Sequence, residues 1–455
     1  MKTDDFDVIV VGAGIAGLCC AGELVLRGAR PLLICESKEV GYLYRSAWIG
    51  KNRCLMQHPA RQASWGGGWW FGLARRLNIP LKLYSSFREF RIGTRGSNVV
   101  HDLPVCVSAS AVVDAMAQFS PLPIGENRAG MEKVLGAALA IPYQELCNMQ
   151  EVPLVKWLAD QGADEFVSMM MLAIGANFIE LKMDQARERL SVFGSIGPLR
   201  AWMCGEGEQW NAFPDAREGL CIPLAQEVER RGGKVLRGQK VKRVLIEGDR
   251  AVGVELEDGS KIKAPKVALA SGTGRVGKLL DRLPDEIVKC IEYEKTIEGL
   301  EDFTSFSLLD KPVDVDPRKF MFLINPDGSS LQCTFSLQTV APWTTEPGKF
   351  LLGAEVILSR EEVDELGGAD GVFANMEAIN EEMHPGYTKA LLETATLRHP
   401  HWAGPNLCGP KLPRTIDSLK NLWFVGEGSA PVGGLYVDLS ASTGIMGAQD
   451  MFPDK

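Results

Sequence analysis

The most constraining feature of this chain is a strand, turn and helix at its beginning, read together with the strand that follows. Residues 6–18 run Phe-Asp-Val-Ile-Val-Val-Gly12-Ala-Gly14-Ile15-Ala16-Gly17-Leu, and after a helix-length interval comes Pro31-Leu-Leu-Ile-Cys-Glu36. An uncharged apolar run of this length reads as a strand buried on both faces. Gly12 permits the tight turn after it, Gly14 lets backbone approach a pyrophosphate, and Gly17 lets helix and strand pack closely. The helix that starts at Ile15 and Ala16 offers unpaired N–H groups and the positive end of its dipole to phosphate. Glu36, with Ser37 beside it, ends the second strand, where a carboxylate accepts the hydroxyls of an adenosine ribose. An acid there repels a 2′-phosphate, so FAD or NAD is favoured over NADP.

The far end of the chain narrows the choice. Leu422-Trp-Phe-Val-Gly426-Glu427-Gly428 is again a strand running into glycine and acid, and Gly433-Gly434-Leu435-Tyr436-Val437-Asp438 opens a small-residue helix. The pairing of these two segments resembles the phytoene desaturase and flavin amine oxidase group of FAD-dependent oxidoreductases, most nearly its phytoene desaturase-like branch. The resemblance implies FAD. It implies that Gly426 and Glu427 replace the group's late Gly-Asp-Gly, with an acid one methylene longer. It also implies that Gly434, Leu435 and Val437 lie against the flavin and that the last helix points its N-terminus at the pyrimidine ring, favouring anionic reduced flavin. Residues 233–259 resemble the group's central segment, which makes Val241 the backbone contact to adenine. After Glu36 many members carry Gly-Gly-Arg; here one glycine and a displaced Arg45 stand in that stretch, and Arg45 is the expected pyrophosphate contact.

A second GxGxxG, Gly272-Thr-Gly274-Arg-Val-Gly277, follows the strand Lys266–Gly272. It is not followed by an apolar strand ending in an acid, so the mononucleotide half-fold is incomplete and a nicotinamide site is not expected. Trp48, Trp65, Trp69 and Trp70, out of ten tryptophans, crowd the region after the first motif. Trp65, Trp69 and Trp70 read either as an aromatic wall or entrance for a planar or apolar substrate or as a core cluster or partner surface.

The expected fold is α/β: a Rossmann-type FAD-binding domain built from residues 1–90, 205–280 and 405–455. An α+β substrate domain from 105–204 and 285–400 is expected as an antiparallel sheet roofed by helices. Within it Ser110 is expected to cap a helix at Ala111–Phe119, strands are expected at 303–309, 319–324, 331–338 and 349–358, and a helix through 361–382. His399 and His401 are expected in a loop.

Composition excludes several classes. A net charge of −9 without basic clusters argues against a nucleic-acid partner. Eleven cysteines in apolar contexts read as reduced core residues and point to a cytoplasmic setting. Five scattered histidines and the lack of metal-ligand spacing give no metal site. The acidic N-terminus has no signal-peptide character, and no apolar run reaches the roughly 20 residues of a spanning helix. Residues 166–179 read as a buried helix lining a cavity, or as a greasy lid in peripheral contact with the inner face of a membrane.

The leading functional expectation is an FAD-dependent dehydrogenase or desaturase that removes hydride and proton from an apolar isoprenoid, terpenoid or alicyclic substrate. Its electrons would pass to oxygen, a quinone or a protein carrier. An amine oxidase is the alternative, weakened because the strand Phe303–Leu309, which carries a flavin-facing lysine in many of them, has none here; Lys311 comes after it. Redox-neutral isomerase or hydratase chemistry and a non-catalytic prenyl-protein carrier are further alternatives. Tyr436 and Asp438, at the mouth of the last helix, are the candidate catalytic residues.

Overall fold

A computed structural model of the chain describes residues 6–41, 47–49, 54–56, 68–81, 84–85, 90–97, 99–120, 122–179, 181–204, 211–212, 217–297, 300–313, 320–326, 330–336, 346–401, 406–426, 428–430 and 436–453. Five parallel strands form the first sheet. They are β1 (Val8–Val11), β2 (Pro31–Cys35), β3 (Lys234–Arg237), β4 (Val267–Ala270) and β5 (Leu422–Val425), in spatial order β5-β4-β1-β2-β3. Around this sheet lie α1 (Ile15–Leu26), α2 (Trp69–Arg76), α3 (Thr273–Leu279), α4 (Asp285–Glu294) and α5 (Tyr436–Met451).

The apolar run of β1 is continuous because the strand is covered on both sides. Side chains alternate across a strand, so Val8 and Val10 join a core with α1, α2 and α5, while Ile9 and Val11 join a second core with Val244, Val254 and Phe424. An antiparallel meander, Val241–Glu247, Arg250–Leu256 and Lys261–Lys263, supplies part of that second cover. The helices α1 and α5 cross almost backbone to backbone: a Cβ at Gly444 would lie 2.1 Å from the Ala16 carbonyl oxygen. The small residues of α5 serve that contact.

A second, seven-stranded sheet runs in the order Leu391–His401, Leu300–Leu309, Phe350–Ser359, Ser330–Ser336, Phe320–Ile324, Phe90–Thr94 and Val100–Leu103. Every neighbouring pair is antiparallel except Phe320–Ile324 with Phe90–Thr94. On the strand Leu300–Leu309, Phe306 and Leu308 enter the large core formed with the helices between residues 109 and 203. Phe303 points the other way, into a cluster with Val372 and Met376 of the helix Ala369–Met383. This is the mixed α/β architecture expected, with a parallel sheet and an antiparallel sheet covered by helices.

Several local expectations need correction. The cap of the helix Ala109–Phe119 is Ser108, whose Oγ accepts the Ala111 N–H at 3.2 Å; Ser110 instead accepts from Arg128. The helical stretch 361–382 is two helices, Arg360–Glu365 and Ala369–Met383, separated at Gly367 and Gly368, both at positive φ. His399 and His401 lie on the edge strand Leu391–His401, paired along Leu300–Leu309, rather than in a loop. In the apolar helix Glu165–Ile179, Val167, Met170, Met171 and Leu172 are buried in the helical core. Among the described residues no helix is long and apolar enough to cross a membrane.

Candidate functional site

The carboxyl ends of β1, β2 and β4 open onto a cavity of about 630 Å³, lined by Val11–Gly14, Ile34–Ser37, Gln239, Val241, Ala270–Gly272 and Arg275. A second cavity of about 390 Å³ shares Gly14, Ala270–Gly272 and Arg275 with it and continues to Glu294, Gly426, Gly428 and Ser440. Together they form one cleft across the strand ends, where open α/β sheets bind their ligands.

The first glycine turn is built as its spacing requires. Gly12 has φ +108°, and a Cβ there would lie 2.4 Å from the Ala270 carbonyl oxygen on the neighbouring strand. At Gly17 a Cβ would lie 1.8 Å from the Gly12 carbonyl oxygen, so α1 sits directly against its own turn. Gly14 differs: a Cβ there would meet nothing within 4 Å and would project into the cleft. It caps α1 without a side-chain hydrogen bond, so the first-turn N–H groups face the space that its missing side chain keeps clear. Ser271, which lines both cavities, has a buried Oγ with no hydrogen-bond partner. An orphaned hydroxyl beside a bare helix N-terminus fits a phosphate-bearing dinucleotide in this cleft.

The charges are few. Glu36 stands at the end of β2 and forms an ion pair with Arg275 of α3. Glu294 of α4 reaches the other end of the cleft, where partial burial raises its pKa against the lowering effect of a hydrogen bond with Thr273. Ser37 and Val241 both line the larger cavity; Val241 is buried at the head of its strand, and the Ser37 carbonyl accepts the Gly238 N–H at 2.9 Å. Ile15, Ala16 and Gly426 line the smaller one. Gly426 has φ +130° and donates its N–H to Thr443 Oγ1 at 2.9 Å, which ties the end of β5 to α5.

Not every candidate joins this cleft. Arg45, Trp65, Glu427, Gly434 and Leu435 lie outside the described residues. Tyr436 and Val437 form the first turn of α5. Asp438, one residue further, is fully buried, and its carboxylate accepts the Trp70 N–H at 3.4 Å. It therefore sits at the N-terminus of α2, where a negative charge is favourable. Trp70 is itself fully buried, stacked on Phe71 in the core shared by α1, α2 and α5, and Trp69 is half-buried beside it; neither lines the cleft.

Residue-by-residue reading missed Ser271, Gly272, Arg275 and Glu294 as cleft residues. The second GxGxxG was the available signal. It follows β4 and opens α3, so it faces the cleft from the opposite side of β1. Among the described residues, α3 is followed by α4 and then by a strand of the other sheet, with no parallel strand that would complete a second nucleotide half-fold. On the strand Leu300–Leu309 no lysine occurs, and Lys311 is exposed beyond its end. Its inward positions include buried Asp302 and Thr304, with the Thr304 hydroxyl donating to Asp302 at 3.0 Å. Among the described residues no cluster of histidine, cysteine or carboxylate side chains could hold a metal ion.

A parallel sheet with a glycine cradle at its strand ends, here joined to a helix-covered antiparallel sheet, is a dinucleotide-binding arrangement. Comparison with known proteins agrees. Over 322 residues, 66% of this chain, it is 24% identical to the chloroplast and chromoplast 15-cis-phytoene desaturase of Solanum lycopersicum. The chain spans about half, 51%, of that protein's length. An oxidoreductase from Methanosarcina mazei superposes with a TM-score of 0.67 over 97% of this chain and 99% of its own, at 18% identity. Cyclohexylamine oxidase from Brevibacterium oxydans does so with a TM-score of 0.60 over 98% and 99%, at 14% identity. No family model matches the chain. The likeness to the phytoene desaturase and flavin amine oxidase group, read first from the two glycine motifs, is thus borne out.

Proposed function

We propose that this chain is an FAD-dependent dehydrogenase or desaturase acting on an apolar substrate. The observation that carries the reading is the continuous cleft from Glu36 and Val241, past the open face of Gly14, to Gly426 and Ser440 beside α5. Its lining suits adenosine at one end, pyrophosphate at the α1 N-terminus and the flavin side toward α5. Bound FAD would accept a hydride at its N5 position.

The chain's own contributions follow from its groups. Glu36 would accept the ribose hydroxyls of bound FAD, the first-turn N–H groups of α1 and the Ser271 hydroxyl would donate to its phosphate oxygens, and the α5 N-terminus would favour negative charge on the flavin side. The likeness to a phytoene desaturase supports a substrate with little polar surface. Asp438 is assigned a positioning role: through the Trp70 N–H it fixes α2 against the first turn of α5. The missing lysine on Leu300–Leu309 supports a hydrocarbon or alicyclic substrate over an amine.

The test is anaerobic spectroscopy of the flavin-loaded protein challenged with terpenoids, carotenoid precursors, alicyclic acids and amines. Bleaching of the visible flavin band by an apolar hydrocarbon or alicyclic compound is expected. Bleaching by amines alone moves the chain to the amine oxidases, and a purified protein that holds no flavin refutes the reading.

A further inference from the structure

The second glycine turn lacks the strand that would make it a nucleotide site, yet it faces the cleft and carries one functional side chain there. Arg275 is the only lysine, arginine or histidine among the described residues lining either cavity. Its guanidinium reaches from the first turn of α3 to the carboxylate of Glu36 at the end of β2, and both residues line the larger cavity. Both side chains keep about half of their surface exposed, 47% and 45%, so the pair is a rim contact free to rearrange. Such a pair contributes little to folding by itself.

The charge balance of the cleft explains why a cation stands there. A dinucleotide brings two phosphate charges between the carboxylates of Glu36 and Glu294. Against these the α1 N-terminus offers roughly half an elementary charge. A guanidinium has five donors on a planar fork, so one edge can stay with Glu36 while the other meets phosphate.

We propose that Arg275 is a cofactor-holding residue, whose guanidinium supplies the positive charge facing the pyrophosphate of bound FAD. The second GxGxxG then serves the first: its turn brings this arginine to the cleft. The proposal rests on the FAD reading above and adds a residue to it.

Deflavinated protein titrated with FAD, ADP and adenosine tests it, followed by flavin fluorescence for FAD and by calorimetry for the other two. Arg275→Ala is expected to raise the dissociation constants of FAD and ADP at least tenfold while that of adenosine stays within twofold. Arg275→Lys, which keeps the charge and loses the fork, falls between. The loss persists in a Glu36→Gln background, because the phosphate contact does not act through Glu36. Equal FAD affinity in wild type and Arg275→Ala, or equal losses for ADP and adenosine, overturns the role of Arg275 and leaves the FAD assignment standing. Wild-type protein that binds neither FAD nor ADP overturns both.

Discussion

Replacing Gly14 by valine separates the fold from the cofactor site. At Gly14 the backbone is extended, φ −75° and ψ −177°, a conformation open to any L-residue, and a Cβ would touch nothing within 4 Å. The deflavinated protein is therefore expected to fold, losing about 1 kcal/mol or less for a poorer helix cap. The valine methyls would stand where a pyrophosphate must approach the first-turn N–H groups of α1. Each charge-assisted hydrogen bond there contributes about 1.5–3 kcal/mol. Losing two weakens FAD binding by about 3–6 kcal/mol, roughly a hundredfold to ten-thousandfold in Kd. The assay pairs a fluorescence titration of deflavinated protein with FAD and a thermal melt without it. Wild-type flavin affinity in Gly14→Val would refute the cradle. A large fall in melting temperature without flavin would refute it differently, by showing Gly14 to be a packing position.

The opposite outcome is expected at Gly17, where a Cβ would sit 1.8 Å from the Gly12 carbonyl oxygen: Gly17→Ala should destabilise the deflavinated protein by about 3 kcal/mol or more, and an unchanged melting temperature would contradict the packing of α1 on its turn. Asp438→Ala removes a buried carboxylate that accepts the Trp70 N–H and should lower stability by about 1–3 kcal/mol, whereas Asp438→Asn keeps an acceptor and should leave flavin reduction within threefold. A tenfold slower reduction in the asparagine variant, about 1.4 kcal/mol of barrier, would instead make Asp438 the base. Glu294, whose carboxyl burial raises above its usual range, binds more protons folded than unfolded, so its contribution to stability falls as pH rises from the unfolded value through the folded one. Glu294→Gln should therefore raise the melting temperature at pH 8, with the gain shrinking as pH falls toward about 4.5; a gain that grows toward acid pH would show the sign to be wrong.

Much of the nucleotide half was legible in the chain itself. The apolar run of β1, the glycines at positions 12, 14 and 17 and the terminal acid of β2 leave little freedom, because each demand is local: a buried strand, a turn at positive φ, a helix pressed against its own turn. Other features were settled only by the tertiary structure. Trp70 could have faced a substrate or a core, and it lies in the core because α2 packs its apolar face against α1 and α5. The strand Leu391–His401 has little apolar pattern and is held by its pairing with Leu300–Leu309. Arg275 lies far along the chain from Glu36, and only the pairing of β4 and β2 on either side of β1 brings them to one cleft. Sequence periodicity determines which face of an element is apolar, while long-range strand order decides which side chains meet, and the meeting at Arg275 and Glu36 belongs to the second kind.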